Sequence, residues 1–202
     1  GIVGAGHTEF IAHLCDVADV RLMLVGPRLR VIHVSAHVSL RDALNLVRQG
    51  RIVRTMELGI AVLRRLGIAR PRIGVAGVNP HASDSGLFGN EEEREIVPAV
   101  AQARRLGFRV EGPLSPDTVF LRATEGEFDL VVAMYHDQGH IAAKTLGFAE
   151  AVNVTAGLPI IRTSVDHGTA FDLVGKNQAD SKNMKYAILL AGQMARRPVR
   201  QP

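Results

Sequence analysis

The sequence predicts an α/β fold in which a layered, largely parallel sheet is flanked by helices. Short runs rich in Val, Ile and Leu alternate along the chain with longer stretches whose apolar residues recur at helical spacing. The run FDLVVAMY, residues 128–135, is almost continuously apolar, which is typical of a strand covered on both faces. Strands and helices that alternate in this way form parallel sheets with helices packed on both sides.

Six runs are predicted to be strands because they are short, rich in branched apolar residues and bounded by turn-forming residues such as Gly26-Pro27. In chain order they are residues 19–26, 29–37, 72–78, 128–135, 151–156 and 158–165.

Four stretches are predicted to be helices from the spacing of their apolar residues. Ser39 is the expected N-cap of the first, and Gly67 is expected to end the second. The pattern from Asn90 to Glu93 predicts a capping box at the start of the third. The helices are expected over residues 39–50, 52–67, 90–107 and 181–195.

Composition limits the classes of partner. The 202 residues carry 24 Lys+Arg against 20 Asp+Glu, a net charge of +4 that favours anionic ligands. No basic stripe with interleaved aromatic residues is present and no apolar run is long enough to span a bilayer, so neither nucleic acid nor membrane is an expected partner. The single cysteine, Cys15, excludes an internal disulfide framework and predicts a cytoplasmic location.

Three histidines follow predicted strands at the positions where α/β folds bind ligands. His37 ends the strand RVIHVSAH, His81 follows GVAGVNP, and His136 follows VVAMY. Neutral imidazole is a good ligand for zinc and other divalent transition ions, and three imidazoles leave coordination positions open for substrate. The sequence contains neither HExxH nor CxxC, so spacing alone does not show whether the three converge.

Other polar residues are suited to binding an anion. Arg162 follows the apolar segment LPII, where a buried guanidinium needs a carboxylate or phosphate partner. His7 and Thr8 follow a glycine, and Lys144 and Asn153 lie in AAKTLGF and AVNV. The glycines of GVAGVNPHASDSGLFG match neither GxGxxG nor a P-loop, so no nucleotide-binding motif is identified.

Several blocks of the sequence resemble the 4-hydroxythreonine-4-phosphate dehydrogenase family of pyridoxal phosphate biosynthesis. They include GHTEF, VAGVNPHASDSGLFGNEE, VVAMYHDQGHIAAKTLGF and VNVTAGLPIIRTSVDHGTAFD, in the family's order. The resemblance runs from Gly6 to the end of the chain. It implies the two-domain architecture of isocitrate and isopropylmalate dehydrogenases.

The resemblance also implies a site and a reaction. A divalent metal, Zn or Mg, Mn or Co, would be held by His37, His81 and His136. The phosphorylated substrate would contact His7, Thr8, Lys144, Asn153 and Arg162. NAD, or NADP, would accept a hydride from a 4-phosphorylated 3-hydroxy acid, and the metal would act as Lewis acid. The β-keto acid formed would then lose carbon dioxide. A homodimer would share its active sites, with His136 as the candidate ligand lent by the partner.

Other features refine this prediction. The family carries an N-terminal part with a motif like MGDPAGIGPE that these residues lack, so the chain is expected to be a C-terminal portion. Residues 1–160 are predicted to form the metal- and substrate-binding region, and residues 161–202 a segment that returns to the other domain. HDQGHI, where the family has Leu after HDQG, and VIHVSAH are closer to the branch that acts on 4-phospho-D-threonate and 4-phospho-D-erythronate.

Three alternatives stay open. A metal-dependent hydrolase of a phosphorylated substrate would use the same histidines and cations, with bound water as nucleophile. A non-catalytic module would bind a phosphorylated ligand without turnover. The third alternative is a relative that oxidises aromatic cis-dihydrodiols, which would not need the phosphate-binding residues. Formation of NADH would distinguish any dehydrogenase from the hydrolase and from the non-catalytic module.

Overall fold

The computed structural model describes residues 7–147 and 151–196. Within these residues, seven strands form one sheet in the order β4-β3-β5-β2-β1-β6-β7. Their bounds are β1 Arg21–Val25, β2 Arg30–His33, β3 Arg72–Ala76, β4 Arg109–Leu114, β5 Leu130–Ala133, β6 Val152–Ala156 and β7 Thr163–Val165.

The sheet is parallel on one side and antiparallel on the other. Strands β4, β3, β5 and β2 run in one direction, whereas β1 is antiparallel to both β2 and β6, and β7 is antiparallel to β6. Five of the seven strands therefore share one direction, and the predicted α/β class is confirmed. The antiparallel pairing of β1 and β2 follows from their short connection at residues 26–29, because parallel neighbours need a long crossover.

Helices cover both faces of the sheet. On one face α3, α4 and α7 pack against strand residues such as Met23 and Ile32. On the other face α5 and α6 pack against their sequence neighbours, such as Leu22 and Val31, because successive strand residues point to opposite faces. The helices are α1 His7–Leu14, α2 Leu40–Leu46, α3 Gln49–Arg65, α4 Val97–Arg105, α5 Val119–Thr124, α6 His136–Gly147 and α7 Lys182–Ala195, with short helical turns at Pro80–Asp84, Glu92–Ile96 and Phe171–Leu173.

The predicted helix ends are partly correct. The Ser39 hydroxyl accepts a hydrogen bond from the Asp42 N–H at 3.1 Å, which confirms the N-cap of α2. Gly67 follows α3 with a φ of 96°, a left-handed conformation that suits glycine and ends the helix. The capping box is wrong: Glu91 is the N-cap of the Glu92–Ile96 turn and makes no side-chain cap hydrogen bond.

Four helices and strands of the described residues were not predicted, namely α1, β4, α5 and α6. The sequence RVEGPL of β4 contains a Gly-Pro turn signal, but β4 is an edge strand, where proline is tolerated. The boundary after residue 160 stays a prediction, although β7 pairs with β6 in the same sheet. Among residues 7–147 and 151–196, no helix combines the length and the hydropathy needed to cross a bilayer.

Candidate functional site

The sheet brings the loops after β2, β3 and β5 to one edge. These three strands are parallel, and His33 at the end of β2 is paired with Ala133 at the end of β5. His37 and His136 follow those two ends, and His81 follows β3. The predicted location of the histidines, beyond the carboxyl ends of parallel strands, is therefore correct.

Two of the three histidines lie close together. The ring centroids of His37 and His136 are 6.0 Å apart. Two imidazoles bound to one ion through nitrogen have centroids about 5 Å apart, from metal–nitrogen distances of about 2 Å and tetrahedral angles. A small side-chain adjustment would thus allow both rings to bind one metal.

His136 is held in the form that binds metals. Its Nδ1 is 2.6 Å from Asp137 Oδ1, and because a carboxylate only accepts, the hydrogen lies on Nδ1 and the Nε2 lone pair is available. Burial lowers the pKa of His136 more than its hydrogen bond to Asp137 raises that pKa. The neutral imidazole is therefore favoured.

His81 stands apart from this pair. It is exposed, its Nδ1 is 3.9 Å from Asp117 Oδ2, and its ring centroid is 6.3 Å from that of Phe88. Within residues 7–147 and 151–196, no group of three or more His, Cys, Asp or Glu side chains is positioned to hold a metal ion. A single chain thus brings together two of the three predicted ligands.

The loop that carries His81 has an unusual backbone. Residues 81–85 all have positive φ, between 45° and 70°, although none is glycine. Left-handed non-glycine residues are costly and persist only where their surroundings hold them.

The buried carboxylate of Glu92, which is 2% exposed, anchors the start of this loop. Its Oε1 accepts hydrogen bonds from the N–H groups of Val78 and Asn79, both at 2.7 Å. Its Oε2 accepts from Asn79 Nδ2 at 2.9 Å. Three donors on two successive residues therefore converge on one side chain, and the loop leaves the sheet from this fixed point.

Two of the residues predicted to bind phosphate, Arg162 and Thr8, are in contact beside β6. Arg162 Nη1 donates to Thr8 Oγ1 in α1 at 3.1 Å and to Thr155 Oγ1 in β6 at 2.8 Å. His7 is the exposed first residue of α1. A cavity of about 220 Å³ is lined by Thr8, His33 and His37, so it links this group to the histidines.

Lys144 and Asn153, the other predicted substrate contacts, lie in α6 and β6. Lys144 Nζ lies 3.4 Å from Asp166 Oδ2, on a side chain that is only 7% exposed. Burial would raise the pKa of Asp166, but the neighbouring His140 and Lys144 outweigh burial and hold that pKa below its usual value. The Oδ1 atom of Asn153 is buried and has no hydrogen-bond partner in the described part of the chain, so it can accept a hydrogen bond from a ligand.

Two further histidines adjoin the site without having been assigned a role from sequence. The His140 ring stacks on that of His136, with centroids 3.7 Å apart and planes 12° apart. His140 Nδ1 is also 3.2 Å from His33 Nε2. Positions 136 and 140 are four apart, so HDQGH would have predicted this contact once the segment was recognised as a helix.

Comparison with known proteins shows the family of the chain. A sequence model of the family described as pyridoxal phosphate biosynthetic protein PdxA matches residues 1–191. The chain belongs to the PdxA family. Among its relatives, the D-threonate 4-phosphate dehydrogenase of Cupriavidus necator is 55% identical over 95% of this chain and 58% of the relative. The 4-hydroxythreonine-4-phosphate dehydrogenase of Geobacter metallireducens is 51% identical over 95% of this chain and 56% of the relative.

Solved structures of PdxA relatives have the same fold. The 4-hydroxythreonine-4-phosphate dehydrogenase of Klebsiella pneumoniae is 53% identical, with a TM-score of 0.86 over 94% of this chain and 57% of that one. A terephthalate 1,2-cis-dihydrodiol dehydrogenase of Burkholderia xenovorans is 34% identical, with a TM-score of 0.78 over 93% of this chain and 60% of that one. The chain thus spans less than two thirds of the length of these relatives.

Proposed function

We propose that this chain carries the metal- and phosphosubstrate-binding part of an NAD-dependent dehydrogenase that oxidises and decarboxylates a 4-phosphorylated 3-hydroxy acid. The observation that carries the proposal is the contact of Arg162 with Thr8, which lines one cavity together with His37, and the 6.0 Å separation of the His37 and His136 rings. A guanidinium held by Thr8 and two imidazoles near the same cavity suit a substrate with a phosphate at one end and hydroxyl groups at the other. Lys144 in α6 and the buried Oδ1 atom of Asn153 in β6, which has no hydrogen-bond partner among the described residues, are further candidates for contact with that substrate.

The cationic side chains would hold and orient the phosphate. The guanidinium of Arg162 can donate two parallel hydrogen bonds to phosphate oxygens, and the Thr8 and Thr155 hydroxyls already fix its position. Lys144 adds a second positive charge. Binding energy gained at the phosphate would be converted into orientation of the reacting carbon.

The residues present fit a divalent metal. His37 and His136 would bind it through neutral imidazoles, with Asp137 orienting His136. A bound ion would supply Lewis-acid polarisation of the substrate hydroxyl, and bound NAD would accept the hydride. We propose zinc, with magnesium, manganese or cobalt as alternatives to be compared directly.

We further propose that a homodimer completes the site. Two arrangements are possible, in which the partner lends either His136, as the sequence resemblance suggested, or His81. The proximity of His37 and His136 within one chain supports His81 as the lent ligand, since His81 lies beside Asp117 instead.

Mixed dimers distinguish the two arrangements in the complete protein. If His81 is lent, a heterodimer of His37→Ala and His81→Ala chains regains one full site, whereas His37→Ala with His136→Ala regains none. If His136 is lent, the recoveries are reversed. Metal content and activity of purified heterodimers are the measurements, and no recovery in either mixture would contradict a shared site.

The reaction itself is tested with a substrate panel. We expect NADH formation from 4-phospho-D-threonate to exceed that from 4-phospho-D-erythronate, 4-phosphohydroxy-L-threonine and unphosphorylated D-threonate. The similarity to D-threonate 4-phosphate dehydrogenases supports this order. Higher kcat/KM for 4-phosphohydroxy-L-threonine would refute the choice of substrate. Equal use of unphosphorylated acid would refute the phosphate site, and phosphate release without NADH would favour a hydrolase.

We also propose a cytoplasmic location for the protein. The presence of one cysteine in 202 residues supports it, because reducing compartments do not select for disulfide pairs. Fractionation of the source cells, with the protein followed by an antibody, would test this proposal, and recovery outside the cytoplasmic fraction would contradict it.

A further inference from the structure

A buried histidine lies beneath the candidate metal ligands. His33, at the end of β2, is 1% exposed. Its Nδ1 is 3.1 Å from the carbonyl oxygen of Leu22. Because a carbonyl can only accept, the hydrogen of His33 lies on Nδ1.

The tautomer of His33 sets the direction of the next hydrogen bond. Burial lowers the pKa of His33 to about 3, so the ring is neutral and its Nε2 can only accept. The atom facing that nitrogen is His140 Nδ1, at 3.2 Å, which must therefore donate. The same N–H group also points to the backbone oxygen of His136 at 3.2 Å. The hydrogen bond to His33 thus determines the orientation of the His140 ring.

The orientation of His140 in turn constrains His136. The two rings are nearly parallel and in contact, so the plane of His136 cannot rotate without losing the stack. Asp137 holds the edge of the His136 ring through Nδ1. We propose that His33 and His140 form a positioning pair that fixes the ring plane of His136, so that its Nε2 points toward the metal.

The surrounding packing is consistent with a fixed pair. A Cβ atom at position 139 would collide with the His33 ring, which explains the glycine between Gln138 and His140. On its other side, His140 Nε2 is 3.8 Å from Asp166 Oδ1, and Asp166 also contacts Lys144. His140 therefore lies between the imidazole pair and the residues proposed to bind phosphate. Neither His33 nor His140 is among the proposed ligands, and this inference rests on the proposed metal site.

The test separates positioning from mere stability. The complete protein is stripped of metal with a chelator, and Co²⁺ and Zn²⁺ affinities are measured for the wild type, His140→Leu, His140→Asn and His33→Leu/His140→Leu. The Leu variant leaves His33 Nε2 without its donor, and the Asn variant keeps an N–H donor but removes the ring. The double variant removes both members of the His33–His140 hydrogen bond, so it should regain part of the stability lost in His140→Leu, although the Leu22 carbonyl oxygen then loses its His33 donor. His13→Asn, at an exposed position in α1, is the matched control.

We expect each of the three variants at position 140 to bind metal about tenfold more weakly, the lower end of the effect of residues that orient metal ligands. The visible spectrum of bound Co²⁺ should change as well, and the double variant should remain weak although its stability recovers in part. Metal affinity within about twofold of wild type, or affinity that recovers together with stability in the double variant, would overturn the positioning role. A wild type that binds no metal would instead overturn the metal site and this inference together.

Discussion

Removal of the Glu92 carboxylate should destabilise the protein far more than removal of its exposed neighbour. Glu92→Ala takes away the acceptor for the N–H groups of Val78 and Asn79. A fully buried donor left without a partner costs about 1–3 kcal/mol; because Val78 and Asn79 are half-buried, about 2–6 kcal/mol is the upper range for the two donors. Relaxation of the left-handed loop and entry of water reduce this figure, and we expect about 3 kcal/mol.

The conservative variant gives a graded effect. Glu92→Gln keeps one acceptor oxygen for the two backbone donors, but its amide nitrogen then faces Asn79 Nδ2, where two donors oppose each other. We expect a loss of about 1 kcal/mol. Glu93→Ala is the control because it removes the same charge one residue away from an exposed position, and its effect should lie within about 0.5 kcal/mol of zero.

Urea denaturation followed by circular dichroism measures the free energy of unfolding for each variant at constant ionic strength. The expected order of destabilisation is Glu92→Ala, Glu92→Gln, Glu93→Ala. If Glu92→Ala loses no more stability than Glu93→Ala, the buried carboxylate does not hold the loop, and the explanation given for its backbone conformation fails.

Other perturbations test the site and its supports. Arg162→Lys should lower kcat/KM for the phosphorylated substrate about tenfold, because an ammonium group cannot replace a bidentate guanidinium; an equal loss with the unphosphorylated acid would argue against phosphate binding. Gly139→Ala should lower the free energy of unfolding in urea by about 2 kcal/mol, because the added Cβ atom would clash with His33. Gly50→Ala is the control, since nothing lies within 4 Å of its added Cβ atom, and it should be neutral or stabilising. Equal effects of the two substitutions would contradict the clash. Since the pKa of His33 falls from 6.5 to about 3 on folding, the unfolded chain binds the extra proton below pH 6.5, and stability should fall by about 2 kcal/mol from pH 7 to pH 5. His33→Leu should lose this part of the pH dependence, and an unchanged pH profile would show that His33 is not held neutral.

Much of the site could be predicted from local sequence. Strand ends are recognisable from apolar runs followed by polar residues, and parallel strands bring those ends to one edge, so His37, His81 and His136 are all expected there. In the structure only His37 and His136 lie close together. Arg162 is identified because a cation directly after an apolar segment needs a carboxylate or phosphate partner. The structure shows hydrogen bonds from Arg162 to the Thr8 and Thr155 hydroxyls, and the anionic partner stays a prediction.

The sequence by itself determined the α/β class, most element positions, the residue types available for metal and anion binding, and membership of the PdxA family. Only the tertiary structure decided which of these residues meet. His33 and His140 are 107 positions apart, and their contact exists because β2 and β5 are neighbours and α6 packs back over β2. In the same way, the position of His81 is decided by the left-handed loop that carries it, whose start is held by Glu92. Local patterns specify helices and strands, whereas distances between remote side chains depend on strand order and packing, which no short stretch of sequence encodes.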